Sequence, residues 1–288
     1  MNPILKYPGS KWRIAAWIID HIPPHVGYVE PFFGSGAVFF NKPKSTIETI
    51  SDLDGAVVQF FKVCREKPDE LAYALSLTPW SREEFLQADF RWGDTDDVEA
   101  ARQFAVRCWQ TFGARTSVKT GWRNSSGKTR NCGPDNPAMW KRLPEVIQEV
   151  AARLLDAQID NRPAVDVISN NNGPEVLIYA DPPYVKSSRT LNGDQYRFEM
   201  TDDQHVELLT VLKRHKGPVL LSGYDCELYR DMLPDWEFDS IGAKAERGAP
   251  RTELLWMNPV CAEHQAQMRL SFFGGGLQNE WDQEALNV

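Results

Sequence analysis

Short apolar runs alternate with stretches of helical spacing in the first part of the chain. Residues 27–40 predict a strand, a glycine turn and the start of a helix, and residues 46–50 predict a second short strand. Residues 51–54 then open a segment with apolar side chains at helical spacing, which predicts another helix. A helix is also expected to begin near Trp12. This order of elements predicts parallel strands joined by right-handed crossovers.

The same alternation returns in the second half of the chain. Apolar runs at residues 176–180 and 219–222 predict buried parallel strands. Thr201 is placed to cap a helix that ends near His215. No pattern is visible after Pro259, so we expect a partly disordered tail. The other predicted elements are a helix at 140–155, a strand at 157–160, a helical turn at 164–168 and a late antiparallel strand at 253–257.

Residues 68–144 interrupt the α/β pattern. They contain helical stretches at 81–88 and 98–112 and a polar region at 115–137 that is rich in Gly, Ser and Asn, without a strong parallel-strand signal. The predicted fold is therefore an α/β, Rossmann-like sheet that is mostly parallel, with a late antiparallel strand and an inserted, mainly helical domain. We assign three regions on this basis: a sheet domain at 1–67 and 145–260, an insertion at 68–144, and a C-terminal tail at 261–288.

Positive charge is concentrated in the insertion. The chain as a whole has a net charge of −8, but residues 101–142 carry nine cations and one acid, so that segment is +8 and the remainder −16. One interpretation is a solvated basic face. Aromatic and hydrogen-bonding residues lie among the cations, however, and this favours a surface that binds phosphates and reads bases.

Composition narrows the class of protein further. The 288 residues are 42% hydrophobic and 25% charged, and no apolar run approaches the roughly 20 residues of a membrane span. The five cysteines are scattered, without the paired spacing of a metal or redox site. The N-terminus has no signal-peptide core. We expect a cytoplasmic protein with reduced thiols, no bound metal and no membrane contact.

Asp181-Pro182-Pro183-Tyr184 directly follows the predicted strand at residues 176–180. It is thus delivered to the edge where open α/β sheets bind ligands. The two prolines fix φ and remove two N–H groups, so the turn is stiff and its carbonyls stay free to accept hydrogen bonds. The sequence predicts oxygens that hold an amine beneath the Tyr184 ring, although this ring could instead serve only in packing.

Residues 30–36 form a glycine-containing turn after the first predicted strand. Position 39 is Phe, so the third glycine of a dinucleotide fingerprint is missing, and no phosphate-loop lysine follows. The turn therefore predicts a nucleoside site without a strong phosphate cradle. Asp52 ends the second predicted strand and is placed to accept hydrogen bonds from ribose hydroxyls. It could also be a helix N-cap, and both roles could hold together.

Seven short motifs occur in a family-specific order, and the resemblance that they carry spans about residues 4 to 259. They are Lys6-Tyr-Pro-Gly-Ser-Lys11, Val29-Glu-Pro-Phe-Phe-Gly-Ser-Gly36, Ser51-Asp-Leu-Asp54, Ile159-Asp-Asn-Arg-Pro-Ala164, Asp181-Pro-Pro-Tyr184, Leu221-Ser-Gly-Tyr224 and Arg251-Thr-Glu-Leu-Leu-Trp256. With them the chain resembles the Dam-like family of S-adenosylmethionine-dependent DNA adenine-N6 methyltransferases.

The resemblance implies a Rossmann-like methyltransferase sheet, S-adenosyl-L-methionine as cofactor and double-stranded DNA as substrate. It implies that Asp52 holds the ribose and that Asp160 and Asn161 lie near the cofactor's adenine ring. Asp rather than Ser at position 181 favours adenine over cytosine N4. The full set of implied cofactor-binding residues is Tyr7, Lys11, Glu30, Gly34, Ser35, Gly36, Asp52, Asp160, Asn161 and Asp181.

The implied chemistry activates a poor nucleophile. Hydrogen bonds from the adenine amine to the Asp181 carboxylate and the Pro182 carbonyl draw its nitrogen toward a tetrahedral geometry and localise its lone pair. Direct transfer follows, with no covalent intermediate and no metal. Because the amine is inaccessible inside a duplex, the base must flip out, and Tyr184 offers its ring to it. We therefore predict Asp181, Pro182 and Tyr184 as catalytic residues.

The remaining predictions concern partners. Cations of the +8 segment are expected to contact DNA, namely Arg115, Lys119, Arg123, Lys128 and Arg130. We expect a monomer in the cytoplasm of a bacterial or phage-infected cell, and a cognate restriction endonuclease remains open. Alternative functions are methylation of cytosine N4, RNA adenine or a protein amide, and an inactive DNA-binding regulator on the same fold. The missing third glycine disfavours a dehydrogenase.

Overall fold

The chain forms one seven-stranded sheet in the order β3-β2-β1-β4-β5-β7-β6. The computed structural model describes residues 1–88, 96–114, 116, 118, 120–124, 136–189, 194–244 and 250–274. The strands are β1 (Gly27–Glu30), β2 (Ile47–Ser51), β3 (Ala157–Asp160), β4 (Val176–Ala180), β5 (Val219–Gly223), β6 (Glu237–Lys244) and β7 (Pro250–Met257).

Strands β1 to β5 pair in parallel, and β7 pairs antiparallel with both β5 and β6. The predicted α/β fold, mostly parallel with a late antiparallel strand, is therefore confirmed. Central strands β4 and β5 are almost wholly buried because helices cover both faces of the sheet.

Eleven α-helices are assigned within the described ranges. They are α1 (Ala15–Asp20), α2 (Gly55–Glu66), α3 (Pro68–Leu77), α4 (Arg82–Gln87), α5 (Asp97–Gln110), α6 (Asn136–Trp140), α7 (Leu143–Leu154), α8 (Ala164–Asn170), α9 (Asp202–Lys213), α10 (Glu227–Met232) and α11 (Pro259–Gly274). Thr201 caps α9 in a capping box with Gln204, as the sequence predicted for its start.

Alternate residues of each strand enter two different hydrophobic cores, as the two-residue period of a strand requires. Leu177 and Tyr179 of β4 pack with α2, α3, α5 and α7 on one face. Ile178 and Ala180 pack with α8, α9 and α10 on the other face. Helices α3 and α5, from the predicted insertion, thus share a core with the sheet, while the division into two domains stays a prediction.

Three parts of the chain differ from the sequence-based expectation. Residues 31–42 form turns rather than the start of a helix, with separate helical-type bonds from Phe40 N to Gly36 O and from Lys42 N to Val38 O. No sequence pattern predicted α3, α10 or β6. After Asn258, where no pattern was visible, the chain forms helix α11 as far as Gly274, and its Gln265 Nε2 donates to the His21 carbonyl at 2.7 Å. Residues 275–288 of the predicted tail lie outside the described residues.

Of the helices in the described ranges, none is both long and apolar enough to cross a membrane.

Candidate active site

A cleft opens at the carboxyl ends of β1, β2 and β4. Strand β1 has β2 on one side and β4 on the other, so the chain reverses its direction of winding here, and open α/β sheets bind ligands at such a point. The cleft has an empty volume of about 790 Å³, including space open to solvent. The predicted residues that line it are Tyr7, Lys11, Glu30, Gly34, Ser35, Asp52 and Asp181.

The Asp52 carboxylate is fixed by the backbone of two different turns. Gly34 N donates to Asp52 Oδ2 at 2.8 Å, and Asp54 N donates to Asp52 Oδ1 at 2.9 Å. The glycine at position 34 adopts φ 50°, a left-handed conformation that side-chain-bearing residues rarely take. Burial raises the pKa of Asp52 to about 7, although the two N–H donors oppose the shift.

Asp54, and not Asp52, caps helix α2. Its side chain accepts a hydrogen bond from Ala56 N at 3.0 Å, in the position expected for an N-cap. The alternative interpretation of Asp52 as the cap is therefore wrong, and its carboxylate faces the cleft instead.

Glu30 ends β1 beneath the cleft and is only 2% exposed. Tyr28 Oη donates to Glu30 Oε2 at 2.6 Å. Burial raises the pKa of Glu30 to about 8, and this hydrogen bond only partly offsets the effect. The floor of the cleft is thus an acid poised between its neutral and charged forms near neutral pH.

Asp181 follows β4 and forms an ion pair with Lys11. Lys11 Nζ lies 2.8 Å from Asp181 Oδ1, at angles that are poor for a hydrogen bond. The same ammonium donates to Gly9 O at 2.7 Å and lies 4.8 Å from the centre of the Tyr184 ring. Burial lowers the pKa of Lys11, but the attraction of Asp181 together with that of Glu253 outweighs it, and the pKa is raised overall. Burial raises the pKa of Asp181, with Lys11 opposing this shift.

The Tyr184 ring is held from two sides. Its hydroxyl donates to Glu253 Oε2 on β7 at 2.7 Å. Tyr224, which follows β5, meets the ring edge-on with centroids 4.5 Å apart. The second proline of the motif, Pro183, lines the cleft, and Pro182 is buried behind it. A rigid aromatic ring therefore stands beside the Asp181 carboxylate.

Residues just before helix α9 form a wall of the cleft that the sequence analysis missed. They are Tyr196, Phe198, Glu199 and Met200. Tyr196 lies against Tyr7, with ring centroids 6.3 Å apart. A signal was available, since the N-terminus of a helix that follows a parallel strand lies at the carboxyl edge of the sheet. The Thr201 cap therefore marked the preceding residues as candidates.

Other predicted cofactor residues have supporting contacts. Ser35 Oγ lies 2.8 Å from Ser10 Oγ, and both residues line the cleft. Asn161 Nδ2 donates to the Asp52 carbonyl at 2.7 Å and so braces the loop that carries Asp52. Asp160 accepts from the Arg162 side chain. Gly36 packs against Phe33 and Phe40, behind the turn.

Most of the predicted DNA contacts fall outside the described residues, namely Arg115, Lys119, Lys128 and Arg130. Arg123 is described, and its guanidinium donates to the Thr111 carbonyl at 3.2 Å and 3.1 Å. Among the residues that the structure describes, no group of three or more His, Cys, Asp or Glu could hold a metal ion.

Comparison with known proteins agrees with this geometry. Residues 7–247 match the profile of the D12 class N6 adenine-specific DNA methyltransferases. The type II methyltransferase M.MjaIII of Methanocaldococcus jannaschii is 23% identical over 85% of this chain and 92% of its own length. The DNA adenine methylases of Salmonella typhimurium and of Escherichia coli K12 are 27% and 26% identical, each over 79% of this chain and 82% of their own length.

The profile covers most of the chain, from the turn at Tyr7 through Asp181 to a point between strands β6 and β7. A methyltransferase class implies a methyl donor. The chain belongs to the D12 class of N6 adenine-specific DNA methyltransferases.

Proposed function

We propose that the protein transfers a methyl group from S-adenosyl-L-methionine to the N6 amine of an adenine that is flipped out of duplex DNA. The observation that carries this proposal is the opening of Asp181 into the same cleft as Asp52 and the Gly34 turn. A carboxylate able to bind an amine and a site able to bind a nucleoside are therefore adjacent.

The cleft residues fit S-adenosyl-L-methionine in charge. A space of about 790 Å³ is lined by the acids Glu30, Asp52 and Asp181, which suits a cationic ligand. The aligned oxygens of Asp52 suit a pair of ribose hydroxyls, since backbone donors leave lone pairs on both. When bound, the cofactor supplies a methyl group on a sulfonium sulfur.

Asp181 and Pro182 prepare the amine. The Asp181 carboxylate and the Pro182 carbonyl accept its two N–H groups and so localise the nitrogen lone pair. Lys11 holds the carboxylate in place by the ion pair at 2.8 Å, yet leaves Asp181 Oδ1 free of a well-aligned hydrogen bond. Acceptors fixed before the base arrives need little reorganisation during the reaction.

Tyr184 receives the flipped base. Its hydroxyl is engaged by Glu253 and its edge by Tyr224, so the ring is immobilised before the base stacks on it. A base leaves the stack at a free-energy cost of a few kcal/mol, and stacking on an aromatic side chain offsets part of it.

We further propose the division of the chain into a cofactor-binding domain at 1–67 and 145–260 and a DNA-recognition insertion at 68–144. The +8 segment supports the role of the insertion. On this proposal the protein acts as a monomer in the cytoplasm. If a cognate restriction endonuclease is a partner, this protein methylates the DNA sequence that the endonuclease recognises.

Replacement of the catalytic carboxylate tests the proposal. We expect Asp181→Ala to abolish the transfer of labelled methyl groups from S-adenosyl-L-methionine to duplex DNA, because the amine loses its charged acceptor. Asp156→Asn is the matched control, since this exposed acid pairs with Lys44 at the surface, away from the cleft. Near-normal incorporation by Asp181→Ala, with an unchanged circular dichroism spectrum, would contradict the mechanism.

A further inference from the structure

A buried ion pair lies between the catalytic turn and helix α9. The Arg189 guanidinium binds both carboxylate oxygens of Glu199, at 2.9 Å and 2.7 Å. The two side chains are only 6% and 10% exposed. Such a pair is costly to bury, and loss of one partner leaves an uncompensated charge. Its burial beside a cleft therefore calls for a functional reason.

The arginine is attached to the catalytic turn. Arg189 Nε donates to the Tyr184 carbonyl at 2.6 Å. The guanidinium thus uses three of its donors in a fixed planar geometry, one toward the turn and two toward Glu199, which a lysine could not reproduce.

The glutamate is attached to the wall of the cleft. Glu199 Oε1 also accepts from Gln195 N at 2.7 Å and from Tyr196 N at 3.1 Å. These bonds fix the backbone that presents Tyr196 to Tyr7 and to the turn at Gly9. Because both oxygens are engaged by the protein, Glu199 acts through its neighbours and not on a ligand.

The same segment is attached to the basic insertion. Thr116 N donates to the Gln195 carbonyl at 3.0 Å, and Arg197 N donates to Thr116 Oγ1 at 3.2 Å. Thr116 is only 4% exposed and lies within the +8 stretch of the sequence. These two hydrogen bonds therefore connect the insertion directly to the residues that flank Tyr196.

We propose that Arg189 and Glu199 are positioning residues that couple DNA binding by the insertion to cofactor binding in the cleft and to the placement of Tyr184. This inference rests on the proposed function. Reciprocity requires that DNA then raises the affinity for the cofactor and that the cofactor raises the affinity for DNA by the same factor.

The test measures the dissociation constant of S-adenosyl-L-homocysteine, which cannot react, with and without a duplex fragment that the wild-type protein methylates. We expect DNA to tighten binding to the wild-type protein by about fivefold or more. In Glu199→Gln, the ratio of the dissociation constant without DNA to the dissociation constant with DNA should fall toward one. In Arg189→Lys, kcat should also fall, because the Tyr184 carbonyl loses its fixed donor.

Two further variants separate coupling from simple damage. Asp194→Asn breaks the neighbouring exposed pair with Lys186 and should keep the wild-type ratio. Thr116→Val keeps the shape of the side chain and loses the Oγ1 hydroxyl, which accepts from Arg197 N and donates to the Gln195 carbonyl at 3.5 Å. It should bind the cofactor alone normally yet show a reduced ratio. If Glu199→Gln fails to fold, Thr116→Val decides the question.

The outcomes distinguish this inference from the proposed function. A wild-type protein that methylates DNA but binds the cofactor equally well with and without it would overturn the coupling alone. The same holds if Thr116→Val and a folded Glu199→Gln both retain the full ratio. A wild-type protein that transfers no methyl group would instead overturn the proposed function.

Discussion

Asp52 and Asp54 lie two residues apart and have different roles, because their side chains point in different directions. Within Ser51-Asp-Leu-Asp54, which opens the following helix, only Asp52 is interpreted from the sequence as a possible cap. In the structure the helix begins at Gly55, so Asp54 takes the cap and Asp52 is released to the cleft. Helix boundaries are known from sequence only to within a few residues, and here that margin decides which acid is functional.

The pKa of Asp52 predicts how cofactor affinity depends on pH. Burial raises this pKa to about 7, so the acceptor is ionised above that pH and neutral below it. Ionised acceptors form the stronger hydrogen bonds. We therefore expect affinity for S-adenosyl-L-methionine, measured by calorimetry from about pH 6 to about pH 8.5, to weaken as the pH falls through 7.

Asp52→Asn should bind the cofactor more weakly and lose this pH dependence, apart from the contribution of Glu30, whose pKa lies near 8. If the variant retains the full pH profile of the wild-type protein, Asp52 is not the titrating acceptor.

Among the strands and helices, the continuous buried strands were predicted, whereas the exposed edge strand β6 was not. Strands β4 and β5 are continuous apolar runs because helices cover both faces. Strand β6 lies at the sheet edge beside β7, and Glu237, Phe238, Asp239 and Ser240 are all exposed, so no period of two is visible. Helix α11 escaped prediction for a related reason, since its apolar residues do not form a clear stripe.

The turn after β1 owes its shape to packing as much as to ligand access. Gly36 adopts φ 64°, and a Cβ there would lie 2.5 Å from Phe33 Cζ and 2.6 Å from a Phe40 ring carbon. This dense aromatic contact is why the chain turns at residues 31–42 where a helix was expected.

Gly36→Ala should therefore destabilise the fold by about 2–4 kcal/mol, from the left-handed backbone together with the steric overlap. Gly113→Ala is the matched control, because Gly113 has φ 80° but a Cβ there would have no atom of the described residues within 4 Å. It should lose only about 1–2 kcal/mol. Equal losses in urea unfolding would show that packing at Gly36 is unimportant.

Across the whole molecule, charge is separated along the chain. The residues that line the cleft lie outside the segment 101–142, in the part of the chain with a net charge of −16. The +8 segment belongs to the insertion. The composition of this segment therefore predicts that the insertion faces DNA. The Thr201 cap marked the cleft wall around Tyr196 as a candidate, but the Arg189–Glu199 pair could not be predicted, because its contacts join residues that only the folded loops bring together.

The charge separation predicts the salt dependence of DNA binding. Lys119→Glu with Lys128→Glu should weaken binding and make the plot of log affinity against log salt less steep, by about 0.9 for each phosphate that the variant no longer neutralises. The control is Lys213→Glu with Lys216→Glu, which makes the same change in net charge outside the segment. An unchanged slope in the first variant would refute the assignment of these lysines to DNA.

The methylated product shows whether Asp181 directs a methyl group to the N6 amine of adenine in duplex DNA. The experiment incubates the protein with unmethylated duplex DNA and S-adenosyl-L-methionine, digests the DNA to nucleosides and identifies the product by mass spectrometry. We expect N6-methyladenine from the wild-type protein and none from Asp181→Ala. Detection of N4-methylcytosine, or of N6-methyladenine at wild-type levels from the variant, would contradict this role of Asp181.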